Sequence, residues 1–95
     1  MNKNSIISIL GGTGDLGNGL AKRFLKAEYS VIIGSRKLEG AKKAANLLGL
    51  DCKGLRNKEA AKEGDIVILT VPFAFQKSIV EACKEELINK IFIDT

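Results

Sequence analysis

The segment Gly11-Gly12-Thr13-Gly14-Asp15-Leu16-Gly17 constrains the fold more than any other feature, because an apolar run precedes it and an amphipathic stretch follows. Ser5 to Leu10 (Ser-Ile-Ile-Ser-Ile-Leu) reads as a buried strand that stops at the paired glycines. After the glycines, Leu16, Leu20 and Phe24 recur at helical spacing, Ala21 and Leu25 widen the stripe, and Lys22, Arg23 and Lys26 lie opposite. That pattern predicts a helix from Gly14 to near Glu28. Gly12 to Gly17 fits G-x-G-x-x-G, a weak signal alone but an informative one between the first strand and the helix of a β-α-β unit. Gly12 permits the tight turn. Gly14 lacks the Cβ that would keep a pyrophosphate from the backbone N–H groups, and Gly17 lets the helix approach the strand. Unsatisfied donors and partial positive charge at the helix start complete an anion cradle over Gly12, Thr13, Gly14, Asp15, Leu16 and Gly17. Thr13 can donate its hydroxyl to a phosphate or cap the helix, and Asp15 suits the dipole of the first turn.

The rest of the chain keeps the same alternation. Tyr29 to Gly34 reads as a second buried strand, and Leu38, Ala41, Ala45 and Leu48 mark a helix that Gly49 stops. Asp51 to Gly54 suits a small edge strand. Asn57 is placed to cap a helical turn over Lys58 to Lys62, with Gly64 ending it. Ile66 to Val71 is the strongest strand, apolar throughout as a strand covered on both faces should be, and Pro72 ends it. Helical spacing resumes at Phe75, Ile79, Cys83 and Leu87, and Ile91-Phe92-Ile93 begins a fifth strand. Alternating strands and helices joined by right-handed crossovers predict an α/β fold. It is a doubly wound, Rossmann-type parallel sheet of five strands in the order 3-2-1-4-5, with a ligand crevice at the carboxyl ends of strands 1 and 4.

The end of strand 2 selects the cofactor. An NAD-selective domain carries Asp or Glu there to hold the ribose diol, whereas Gly34-Ser35-Arg36-Lys37 offers small polar and basic groups. Ser35 and Arg36 can hydrogen-bond a 2′-phosphate, and Lys37 adds charge nearby or remains a solvated surface residue. NADP(H) is therefore the expected dinucleotide. Val71, Pro72 and Phe73 leave strand 4 at the crevice, where they can line the nicotinamide side.

Composition excludes several alternatives. The 95 residues are 45% hydrophobic and 27% charged, which fits one globular domain over residues 1–95 and no second one. No apolar run approaches the roughly 20 residues of a membrane-spanning helix, and the start does not read as a signal peptide, so a cytoplasmic protein is expected. The net charge of +4 is spread along the chain without Trp or a nucleic-acid-reading motif, so no nucleic-acid partner is expected. With no His, and only Cys52 and Cys83 as thiols, neither a metal site nor side-chain acid/base catalysis is expected. Any chemistry falls to the cofactor.

Three segments together, Ile9-Leu10-Gly11-Gly12-Thr13-Gly14-Asp15-Leu16-Gly17, Val31-Ile32-Ile33-Gly34-Ser35-Arg36, and Ala60-Ala61 with Ile66 to Pro72, resemble the N-terminal half of NADPH-dependent coenzyme F420 reductases. The resemblance implies a cytoplasmic oxidoreductase that passes hydride between NADPH and the deazaflavin F420, with Thr13, Ser35 and Arg36 holding the phosphates of NADP. It implies archaeal or bacterial relatives and a homodimer, with a C-terminal helical part, not found in these 95 residues, helping to bind F420 and to build the dimer. On that basis the chain should bind NADP(H) but transfer little or no hydride to F420 by itself. The alternative is a non-catalytic NADPH-binding or redox-sensing module of the NmrA-like kind, whose G-x-x-G-x-x-G turn is met by Gly11, Gly14 and Gly17. Catalytic short-chain dehydrogenases are disfavoured, since Tyr29 has no Lys four places on.

Overall fold

Isoleucine, valine and leucine dominate Ile6–Leu10, residues 31–33 and Ile66–Leu69, so that these strands can be buried on both faces, and that composition leads to a parallel sheet between two helical layers. A computed structural model describes residues 4–11, 13–49, 51–70, 73–88 and 90–94, without the side chains of 73–75, 91, 92 and 94. The elements alternate as β1 (Ile6–Leu10), α1 (Asp15–Lys26), β2 (Ser30–Ser35), α2 (Leu38–Leu48), β3 (Cys52–Arg56), α3 (Asn57–Glu63), β4 (Ile66–Leu69), α4 (Phe73–Ala82) and β5 (Ile91–Asp94). The sheet runs β3-β2-β1-β4-β5, with every neighbouring pair parallel. This is the α/β parallel-sheet class that the alternation predicts.

The side chains of β1 divide the core by the period of two. Ile7 and Ile9 join Val31, Ile33, Ile66, Ile68 and Ala21 of α1, with Leu20, Phe24 and Leu48 packed against them. Leu10 joins Ile32, Val67, Leu69, Ala60, Ala61, Ile79 and Cys83 on the face of α3 and α4. Small residues let α3 and α2 approach closely. Ser8 is fully buried and donates its hydroxyl to the Ala60 carbonyl at 2.5 Å, and a Cβ on Gly64 would collide with that Ser8 side chain. On the opposite face, a Cβ on Gly54 would run into the Ala41 backbone.

Several boundaries differ from the sequence reading. α1 ends at Lys26 rather than near Glu28, because Glu28 takes a left-handed backbone (φ 71°) that a right-handed helix cannot contain. β3 extends to Arg56, beyond the expected Gly54, because ladder pairing with β2 continues through Ser35. α4 spans Phe73 to Ala82, and residues 83–88 follow as turns instead of completing a helix to Leu87. Asn57 does not cap α3. It is the first helical residue, while Arg56 occupies the cap position without a side-chain cap bond. Leu16, assigned to the core stripe, is 55% exposed. Among the described residues no helix is long and apolar enough to cross a membrane.

Candidate functional site

The carboxyl ends of β1, β2 and β4 meet because the parallel registers align Leu10 with both Gly34 and Leu69. Just beyond, both the backbone N–H and the hydroxyl of Thr70 donate to the Leu10 carbonyl at 3.0 Å, closing the β1 to β4 side. The chain leaves β1 through Gly11, whose φ of 73° lies in the region that glycine enters without steric cost. Sequence reasoning assigned the tight turn to Gly12, which lies outside the described residues. The left-handed conformation at Gly11 went unanticipated, although the paired glycines signalled it.

Gly14 is the N-cap of α1 with extended backbone, and its carbonyl accepts the first helical bond from Asn18 at 2.9 Å. Among the described residues, a Cβ placed there would meet nothing closer than the Gly11 carbonyl oxygen at 4.0 Å. Packing within the chain therefore does not require glycine at this position. The open space in front of the first turn does, if it is to admit an anion. Thr13, Gly14, Asp15 and Leu16 are all exposed around that space, and Gly17 is buried. Thr13, Gly14, Asp15, Leu16 and Gly17 follow one another through the turn and the first helical turn.

Ser35 ends β2, half-buried, and Arg36 and Lys37 follow in the open, with Lys37 forming the extended N-cap of α2. A pocket of about 380 Å³ opens beside them. It is lined by Ser35 and Arg36, by Arg56, Asn57, Lys58 and Glu59 from β3 and α3, and by Ser78, Ile79, Ala82 and Cys83 of the α4 region. Lys37 is not among its lining residues. Burial, reinforced by Glu86 and Glu59 and opposed by Lys58, raises the pKa of the Cys83 thiol above its ordinary value and keeps it protonated. The expected nicotinamide-side residues Val71 and Pro72 lie outside the described residues, and Phe73 is described only as the first residue of α4. Among the described residues, no cluster of His, Cys, Asp or Glu could hold a metal ion.

Sequence reasoning missed the part played by Asn57. Its Oδ1 accepts the Gly11 N–H at 3.3 Å, and a Cβ on Gly34 would come within 2.8 Å of that oxygen. It also missed Arg56, Lys58 and Ser78 as pocket residues. No local signal marks them, since they come from elements that meet only when the sheet assembles.

The family model described as NADP oxidoreductase, coenzyme F420-dependent, matches residues 6–95. A relative named F420-dependent NADP reductase from Methanocaldococcus jannaschii is 51% identical over 96 residues, an alignment covering 92% of this chain and 43% of the relative. The protein of the same name from Methanothermobacter marburgensis is 44% identical over 95 residues, covering 93% of this chain and 42% of its own length. The chain thus spans less than half the length of these curated relatives. A solved NADH-preferring ketol-acid reductoisomerase from an uncultured archean superposes with a TM-score of 0.78 at 24% identity, covering 95% of this chain and 28% of that one. A minor L-lactate dehydrogenase from Enterococcus mundtii superposes with a TM-score of 0.79 at 16% identity, covering 98% of this chain and 38% of that one. At such identities the two structures bear on the fold alone, which they share. The family-model match and the curated relatives go further: this chain belongs to the family of coenzyme F420-dependent NADP oxidoreductases.

Proposed function

We propose that residues 1–95 form one NADP(H)-binding unit of an oxidoreductase that exchanges hydride between NADPH and coenzyme F420. The observation that carries the reading is the absence of any acid at Gly34-Ser35-Arg36-Lys37, combined with the adjacency of that segment to the glycine turn through the 2.9 Å bond from Gly11 N–H to the Gly34 carbonyl. A ligand held in the turn would reach Ser35 and Arg36 with its adenosine end. The residues fit the dinucleotide, since the space that a Cβ on Gly14 would enter is open. In this reading Gly12, Thr13, Gly14, Asp15, Leu16 and Gly17 cradle the pyrophosphate, Ser35, Arg36 and Lys37 face the 2′-phosphate, and Val71, Pro72 and Phe73 line the nicotinamide side. The dinucleotide supplies the hydride, and the chain binds and orients it. F420 as the hydride partner, a homodimeric assembly and a cytoplasmic setting belong to the same reading. The names of the relatives support it over a non-catalytic sensing module.

Calorimetric titration with NADPH and NADH tests the cofactor half. A charge-assisted hydrogen bond contributes about 1.5–3 kcal/mol, so Arg36→Ala should weaken NADPH about 10- to 100-fold and leave NADH nearly unchanged. Equal losses for the two cofactors overturn the reading of Arg36. Absorbance of F420 mixed with NADPH tests the other half on the oxidoreductase of which these residues are one unit, and an oxidoreductase that reduces F420 no faster than buffer overturns it.

A further inference from the structure

We infer that Arg56 is a second cation for the 2′-phosphate, lining one pocket together with Arg36, so that selection of NADP over NAD is shared by residues at the ends of two neighbouring strands. The inference rests on the reading of the chain as an NADP(H)-binding unit. Arg56 ends β3 exactly in register with Ser35 of β2. Partners in a parallel ladder project to the same face, so Arg56 is held beside the residue that precedes Arg36. Both arginines line the same pocket of about 380 Å³, a size suited to one small-molecule moiety.

The walls of the pocket are matched to the adenosine end. Ile79, Ala82 and Cys83 offer an apolar surface for a flat base, while Arg36, Arg56 and Lys58 set three cations against the single carboxylate of Glu59. Arg36 and Arg56 make no side-chain hydrogen bond or ion pair with any described residue, so their donors are available to a ligand. Two planar forks approaching from different strands suit a phosphate monoester, which presents several acceptor oxygens. Lys58 stands on α3, lines the same pocket and acts electrostatically on Cys83.

The test is titration of the unmodified chain, Arg36→Ala, Arg56→Ala, Arg56→Gln and the double variant with NADPH, NADH, 2′-AMP and 5′-AMP. Arg56→Ala and Arg56→Gln should weaken NADPH and 2′-AMP about tenfold and change NADH and 5′-AMP less than about twofold. The double variant should lose less than the product of the single losses, since both groups hold one phosphate. Matching losses for NADPH and NADH, or undiminished NADPH binding, overturn the assignment of Arg56. If Arg36→Ala abolishes NADP selectivity while Arg56→Ala leaves it intact, this inference alone fails. If the unmodified chain shows no preference for NADPH, the underlying reading fails with it. Circular dichroism of each variant separates these results from loss of fold.

Discussion

The Oδ1 of Asn57 accepts the backbone N–H of Gly11 at 3.3 Å, across 46 residues of sequence. The same N–H donates to the Gly34 carbonyl at 2.9 Å, a three-centre arrangement that ties the ends of β1 and β2 to the start of α3. The conformation of the glycine turn is therefore supported by a side chain that the glycine motif does not contain. Its orientation toward a ligand depends on α3 as much as on the turn itself.

Replacement of Asn57 by Ala should lower stability by about 1–2 kcal/mol, because a mostly buried hydrogen bond is lost while the Gly11 N–H keeps its second partner. NADPH affinity should fall as well, as the turn loosens. Urea denaturation and titration measure the two effects. An unchanged midpoint would show that the Gly34 carbonyl alone holds the turn.

Gly14 should separate folding from binding. Its φ of −82° is open to any residue and a Cβ there finds room, so Gly14→Ala should alter stability by less than about 1 kcal/mol. The methyl group would project into the space proposed for the pyrophosphate, and NADPH and NADH should both weaken at least about tenfold; Gly14→Val should abolish binding of either. Normal NADPH affinity in a folded Gly14→Val variant would mean that this glycine does not face the ligand.

At Gly54 the effect should be the reverse. A Cβ there meets the Ala41 backbone of α2, which cannot move aside as a flexible side chain would. Gly54→Ala should cost about 1–3 kcal/mol, read as a lower thermal midpoint. A midpoint equal to that of the unmodified chain would show that α2 can shift off the sheet without loss.

Alkaline pH should destabilise the fold through its thiols. Burial raises the Cys52 pKa from 9.0 to about 11, outweighing the hydrogen bond from the Lys53 backbone, and Cys83 is raised too. Between pH 9 and 11 the unfolded chain releases a proton that folded Cys52 retains, so stability is intact below pH 9 and falls as the pH rises toward 11. Denaturation midpoints of the unmodified chain and Cys52→Ala, compared across that range, isolate the contribution. An equally steep decline in both would assign the loss to other groups.

The α/β class, the glycine turn and the lack of an acid after β2 were all legible in the sequence, because each depends on neighbouring residues. An apolar β-branched run forms a strand whatever its partner, and Ser35-Arg36 stands at the end of β2 by simple adjacency. Local periodicity marks which side of an element is apolar, but it does not name what covers that side. Leu16 fits the helical stripe, yet in the first turn of α1 it is exposed and stands outside the core. Asn57 has the chemistry of a cap, but the approach of Gly11 and Gly34 recruits its oxygen instead. Arg56 reads as one more surface cation until the register of β2 with β3 sets it beside Ser35. These placements follow from contacts between segments far apart in sequence, which exist only once the sheet has set its strand order and the helices have closed on its two faces.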